Sequence, residues 1–465
     1  MLSALATAIQ TVVIWYFVGL NVCYLVLNLL ALHKLNRTEQ RRDLDELPPL
    51  FLGLEPPISI LVPAYNEALI ITTTVRSLLQ LNYSEYEILI VNDGSGDGTL
   101  EELTREFALQ PFPEAFHDVL KTRPVRGVYH SKTHPKIRVI DKENGGKADA
   151  LNSGINLARY PLFCVVDADS ILQRDSLQRV VQPFIEDPAT VAAGGTIRIA
   201  NGCKVESGFL AKPGLPRNYL ARFQVIEYLR AFLFGRLGWA SLNALMIVSG
   251  AFGLFNKDRV VEAGGYRTDS IGEDMELIVR LHRKLKLAGI PYRITFLPDP
   301  LCWTEVPEDL KTLKNQRIRW QRGLGESLLN NRQLLFHPKA GAIGWIAFPF
   351  LLFFEWLGPV IELTGAAFMV VGFWQGTISY VALGVYLFVS LGLGILLSVN
   401  AILLEEISFH LYPSFLHLLI LMGFILAESL GYRQLNLVWR LMGIFQFLVG
   451  NRAKWGEMKR RGSWT

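Results

Sequence analysis

Residues 163–171 read FCVVDADSI: an apolar run that passes straight into two carboxylates, Asp167 and Asp169, one residue apart. A short continuous apolar run is the pattern of a strand buried on both faces. Acids at its end call for a reason, because a carboxylate removed from water is costly unless it is paired. Two readings are open at this point. Asp-x-Asp-Ser is good turn and capping chemistry. The same hard oxygens also suit a divalent cation such as Mg2+ or Mn2+.

Runs of the same kind precede it: ISILVPAY (58–65), YEILIVND (86–93) and KIRVID (136–141), alternating with helical patterns. Apolar strands separated by helices predict a parallel sheet covered on both faces. Ligands bind such sheets at the carboxyl ends of the strands. The first, second and fourth runs all end there in polar residues: Asn66 and Glu67, Asn92 and Asp93, Asp167 and Asp169.

Outside this α/β region the composition changes. Of the 465 residues 51% are hydrophobic and only 19% charged, too apolar for an ordinary soluble enzyme. The uncharged run Ala4–Leu32 exceeds the ~20 residues needed to cross a bilayer core and has no basic start or cleavage site, so an anchor is expected rather than a signal peptide. Lys34, Arg37, Arg41 and Arg42 follow it, which places the next region in the cytoplasm. Apolar stretches return at 341–374, 378–404 and 411–430. The first is broken at Gly358-Pro359, so it is either one kinked helix or a re-entrant pair. Residues 218–242 and 435–450 mix aromatics with arginines and read as interfacial helices, the latter ahead of a basic end. The expected layout is an N-terminal membrane helix (1–33), a basic linker (34–55), a cytosolic domain (56–337), membrane helices (338–432) and an interfacial helix with basic tail (433–465).

The four cysteines form no CxxC or Cys/His cluster, against a zinc site or disulfide framework. A net charge of +4 is too mild to imply nucleic acid, and no RNA- or DNA-binding motif is present. NDGSGDGT (92–99) is a strand end with a glycine-rich turn, but neither GxGxxG nor Walker A. ENGGKADALNSG (143–154) sets Lys147 at a helix start, where an ammonium and free N–H groups can meet phosphate. Each motif alone also suits an ordinary loop or cap.

Their order is more telling. VPAYNEA, NDGSGDGT, GGKADALN, DAD, SIGEDMEL and QRIRW, across about residues 56–325, resemble the family 2 glycosyltransferases, in particular the membrane branch of cellulose, hyaluronan, chitin and poly-N-acetylglucosamine synthases. The resemblance implies a GT-A (Rossmann-like) nucleotide-sugar-binding domain with transmembrane and interfacial helices. It implies that Asp93 meets the nucleotide base, with Tyr65, Asn66 and Glu67 around the pocket, and that Lys147 meets the diphosphate and Asp149 the nucleotide side. Asp167 and Asp169 form the metal-binding pair, with Asp169 the more direct ligand. Asp274, beside Glu273 in the GED element, is the general base. Gln316, Arg319 and Trp320 hold the diphosphate and line the acceptor site.

The function so implied is metal-dependent, inverting transfer from UDP-N-acetylglucosamine or UDP-glucose onto a growing β-linked polysaccharide, with export across the plasma (inner) membrane and room for accessory export subunits as partners. No FxVTxK-like loop or cyclic-nucleotide module follows QRIRW, and SGAFGLF (249–255) and WTEVPEDL (303–310) lean toward the poly-N-acetylglucosamine and chitin branch. A glycolipid synthase adding one sugar to a membrane lipid is the alternative, and a non-catalytic scaffold a weaker one. Glu355, Glu362, Asn400 and Glu405 are polar residues in or near the spans that could line an export route. Glu405 is expected at a helix end or interface, while Glu355 and Glu362 stay open between that and a cavity.

Overall fold

The computed structural model describes residues 2–42, 55–206, 209–412 and 414–450. Linker residues 43–54 and the basic tail from residue 451 lie outside them. The strands are β1 (Ile58–Ala64), β2 (Tyr86–Asp93), β3 (Leu109–Pro111), β4 (Val125–Ser131), β5 (Ile137–Lys142), β6 (Leu162–Val166), β7 (Ile171–Leu172), β8 (Thr190–Ile199), β9 (Lys204–Glu206), β10 (Phe209–Lys212), β11 (Phe252–Asn256) and β12 (Arg293–Thr304). Ten form one sheet in the order β3-β4-β5-β2-β1-β6-β11-β8-β12-β7, and β9 and β10 pair separately.

The four apolar runs are β1, β2, β5 and β6, which lie side by side and run parallel. The wholly parallel expectation stops at β11, which is antiparallel to both β6 and β8. Phe252 at the start of β11 lies opposite Val166 at the end of β6, so β11 enters at the carboxyl edge instead of crossing over a face. Phe163 and Phe255 stack with ring centroids 5.2 Å apart in the buried core. Truncating either to alanine would cost about 3–5 kcal/mol.

The first ten helices are α1 (Leu2–Arg42), α2 (Ile71–Leu79), α3 (Thr99–Phe107), α4 (Lys147–Leu157), α5 (Ser176–Glu186), α6 (Tyr219–Tyr228), α7 (Leu237–Ser241), α8 (Lys257–Ala263), α9 (Glu273–Leu287) and α10 (Leu310–Asn330). A π-helical stretch, Leu229–Arg236, joins α6 to α7. Among the described residues three helices are long and apolar enough to cross a membrane: Thr7–Asn36, Tyr380–Phe409 and Phe415–Leu448. Ile343–Trp356 and Gly358–Trp374 pass that test together and are bent by 49° at the Gly358-Pro359 break. Proline lacks the N–H that would continue the helix, which accounts for the bend. Phe415–Leu448 is itself interrupted at Leu430 and Gly431, where the backbone leaves helical angles.

Large apolar side chains such as Val12, Trp15, Leu25 and Leu29 stand exposed along α1, as a lipid-facing helix requires. Its Lys34 donates to Thr295 and Phe296 of β12, so the first span is tied to the sheet. Glu405 lies near the end of the helix Leu393–Phe409, where it is buried and pairs with Arg198 of β8.

Candidate active site

The carboxyl edge of β1, β2 and β6 opens into a cavity of about 1440 Å3. Its wall includes Tyr65, Asn66, Glu67, Asp93, Lys147, Asp167, Asp169, Glu273, Asp274, Gln316, Arg319 and Trp320. Of the thirteen residues given a binding, catalytic or metal role from the sequence, Asp149 alone is not on that wall. Its carboxylate lies 2.6 Å from the Lys142 ammonium and accepts the Arg123 backbone N–H.

Asp93 is buried and shares Lys142 with Asp149, at 2.7 Å. Its two oxygens also accept the N–H groups of Gly145 and Gly146, at 3.0 and 2.8 Å. The glycine pair is therefore folded around the end of β2. Gly146 sits at φ +88, open to glycine at little cost, and leads into α4 so that Lys147 is its first residue. Asn66 holds the other glycine-rich loop: its side chain accepts from Gly96 N at 2.9 Å, while Ser95 Oγ accepts from its backbone.

Lys147 Nζ lies 2.5 Å from Asp167 Oδ1 and donates to Gly250 O. Burial alone would lower its pKa, but the carboxylates of Asp167, Glu273 and Asp274 outweigh burial and hold it above the ordinary value. Asp274 and Glu273 open α9, where negative charge is favoured by the helix dipole. Asp274 Oδ2 accepts from Gly250 N and Oδ1 from Met275 N, which fixes the carboxylate at the cavity wall. Glu273 is buried, and desolvation raises its pKa to about 7, with Lys147 opposing and Asp274 reinforcing the rise.

α9 and α10 meet through two glycines. A Cβ on Gly272 would fall 2.9 Å from the Gly323 Cα, and one on Gly323 the same distance from Gly272 Cα. That contact brings the start of α9 beside the middle of α10, which carries Gln316, Arg319 and Trp320. The Trp320 ring is exposed into the cavity, with the Arg317 guanidinium 4.5 Å from its centroid.

The donor set suits a divalent cation in one respect. Asp167 and Asp169 offer hard oxygens on the same wall, although among the described residues no cluster of three or more His, Cys, Asp or Glu could hold a metal alone. Two carboxylates completed by phosphate oxygens match how Mg2+ is usually held.

Sequence reasoning missed part of the wall. Asp97, Arg123, Tyr228, Arg230 and Arg236 line the cavity, as do Tyr24 and Arg440 of the membrane helices, beside Glu355 and Glu362, which the sequence had left open toward a cavity. The arginines of residues 218–242, expected only at the membrane interface, include Arg230 and Arg236 on this wall. Their helical spacing was the available signal, but spacing does not say which face meets a cavity.

Residues 59–225 match the model of glycosyl transferase family 2, and residues 162–426, more than half the chain, match that of glycosyl transferase family group 2. The chain belongs to the family 2 glycosyltransferases. This family 2 chain is 33% identical over 296 residues to the poly-β-1,6-N-acetyl-D-glucosamine synthase of Staphylococcus aureus (strain COL), covering 63% of the chain and 60% of that relative. It is 30% identical over 305 residues to the enzyme of the same name from Staphylococcus epidermidis, covering 65% and 63%. The match thus spans about three fifths of these relatives' length. Among solved structures it resembles the mannosyltransferase PcManGT from Pyrobaculum calidifontis in complex with GDP-Man and Mn2+, with TM-score 0.57, 18% identity, and coverage of 95% of this chain and 100% of that one. The α/β domain has the GT-A fold, and with its apolar helices the chain is a membrane protein.

Proposed function

We propose that the chain is an inverting, metal-dependent glycosyltransferase that elongates, and exports, a β-linked polysaccharide from a UDP-sugar at the inner membrane, its catalytic domain in the cytoplasm. The observation that carries this reading is the continuity of one cavity. It runs from Asp93, Lys147 and Asp169 past Asp274 and Trp320 to Glu355, Glu362 and Arg440 among the membrane helices. An enzyme making a free oligosaccharide has no use for a catalytic cavity that continues between membrane helices.

In this reading residues 56–337 carry transfer and the flanking helices the route for the product. Asp93, Tyr65, Asn66 and Glu67 form the nucleotide end, and Asp149 shapes it indirectly by fixing Lys142 and Arg123. Asp167 and Asp169 would hold Mg2+ or Mn2+, which when bound supplies positive charge to the departing diphosphate. Lys147, Gln316 and Arg319 bind the diphosphate oxygens. Asp274 takes the proton of the acceptor hydroxyl as that oxygen attacks the anomeric carbon and the bond to diphosphate breaks, inverting the centre in one step. The buried Glu273 keeps charge low beside it. The Trp320 ring offers an apolar face to the acceptor pyranose.

The names of the staphylococcal relatives make UDP-N-acetylglucosamine the first donor to test, with UDP-glucose second. The neighbour's GDP-Man and Mn2+ support a nucleotide-sugar donor and a divalent cation. The test is UDP release by purified protein in detergent across UDP-sugars, with products sized. A long polymer from one donor is expected, abolished by chelator and restored by Mn2+. A single-sugar lipid product would replace this reading with glycolipid synthesis, and turnover unaffected by chelator would remove the metal.

A further inference from the structure

The break in the membrane helix at Pro359 leaves backbone carbonyls to be satisfied from elsewhere. In a regular helix the N–H of residue 359 would reach the carbonyl of Glu355, and proline has none. At membrane depth an unsatisfied carbonyl is costly. The donors come from two distant helices. Gln321 of α10, the residue after Trp320, donates its amide to Glu355 O at 3.2 Å and Trp356 O at 3.0 Å. Arg440, on the helix Arg433–Leu448, donates to Gln321 Oε1 at 2.9 Å, to Glu355 O, and to Glu355 Oε2 at 3.1 Å. Tyr24 of α1 donates to the other Glu355 oxygen. Gly443 makes the approach possible: a Cβ there would fall 2.8 Å from the Gln321 Cβ.

We infer that Gln321 and Arg440 form a clamp that sets the position of α10, and so of Trp320, against the broken membrane helix. The inference rests on the reading of Trp320 as the acceptor platform. Gln321 is buried, and neither it nor Arg440 is assigned contact with the reacting atoms; both are positioning residues. The clamp registers the acceptor end of the cavity with its membrane end, while the nucleotide end at Tyr65, Asn66, Glu67 and Asp93 lies on the sheet edge, outside α10. Positional errors near 1 Å in such a group cost as much as ~100-fold in rate.

The test uses full-length protein in detergent with Gln321→Ala, Gln321→Glu and Arg440→Lys. Gln321→Glu keeps the shape of the side chain and removes its N–H donors. Both Gln321 variants are expected to lower kcat for transfer about tenfold or more and to shorten the polymer, with calorimetric UDP affinity, to which Gln316 and Arg319 of α10 contribute, falling by a clearly smaller factor than kcat. Arg440→Lys retains one donor to Glu355 and is expected to lose rate and product length in the same direction, but less than the Gln321 variants. UDP affinity falling in step with kcat, or wild-type polymer length in every variant, overturns the clamp. Should Gln321→Ala not fold, Arg440→Lys decides, and unchanged product length in it is equally adverse. Wild-type protein that makes no polymer counts against the polymerase reading instead. The clamp is then read by hydrogen exchange of the α10 amides, expected to quicken in the Gln321 variants and fatal to it if unchanged.

Discussion

The Lys147 ammonium lies 2.5 Å from the Asp167 carboxylate, on the wall that also carries Asp169 and Asp274. This pair places a cation where a diphosphate would meet the end of β6. A charge-assisted hydrogen bond is worth about 1.5–3 kcal/mol. Lys147→Gln is therefore expected to raise the KM for UDP-sugar about 10- to 100-fold. Steady-state kinetics beside UDP calorimetry checks this, and unaltered UDP affinity would place Lys147 outside diphosphate binding.

Asp274→Asn preserves size and loses the capacity to accept a proton. Transfer should fall by about 100- to 10,000-fold with UDP affinity retained, the range for general-base loss. Glu273→Gln should be milder, because its buried carboxyl is held near neutrality by desolvation. If Glu273→Gln proves the more damaging, the roles of the two acids are reversed.

The contact between Gly272 and Gly323 admits no side chain, since the opposing atoms are backbone. Gly323→Ala is expected to cost about 1–3 kcal/mol and to separate α9 from α10, lowering kcat more than donor affinity. Thermal unfolding and kinetics on the same preparation measure both effects. Wild-type rate with wild-type melting temperature would show that the helices need not touch there.

His282 gives a pH signature away from the site. It is buried in α9 between Tyr292 OH, 2.7 Å from Nδ1, and Leu245 O, 2.8 Å from Nε2. The carbonyl can only accept, so Nε2 bears the proton and Nδ1 accepts from the tyrosine: the ring is neutral. Desolvation lowers its pKa to about 4 from 6.5. The unfolded chain binds the extra proton first, so stability is full above pH ~6.5 and falls as pH drops toward ~4, by about 3 kcal/mol. Denaturation of wild type and His282→Gln across that range should show the slope reduced in the variant. Parallel curves would assign the acid sensitivity to other groups.

Much of the α/β domain was legible because its signals are local. Continuous apolar runs identified β1, β2, β5 and β6, and the acids and amides at their ends marked the working edge. β11 was not legible as antiparallel, since FGLFN reads the same in either direction and its sense depends on where the preceding loop enters the sheet. The partner of Glu405 was hidden for a similar reason. Hydropathy shows an acid near the end of an apolar run, not Arg198 waiting on β8.

The sequence by itself determined the kinds of element, the apolar spans, and the chemistry present at Asp93, Lys147, Asp167, Asp169, Asp274 and Trp320. Each of these is written in a few contiguous residues, where periodicity and side-chain type suffice. Only the tertiary structure decided which of them meet. It turned Asp149 away toward Lys142, set Asp274 against Gly250, and bound Gln321 to carbonyls 34 and 35 residues away and to an arginine 119 residues away. Such contacts follow from how helices and sheet pack together, and from the need to satisfy every buried polar group, which no short stretch of chain can specify.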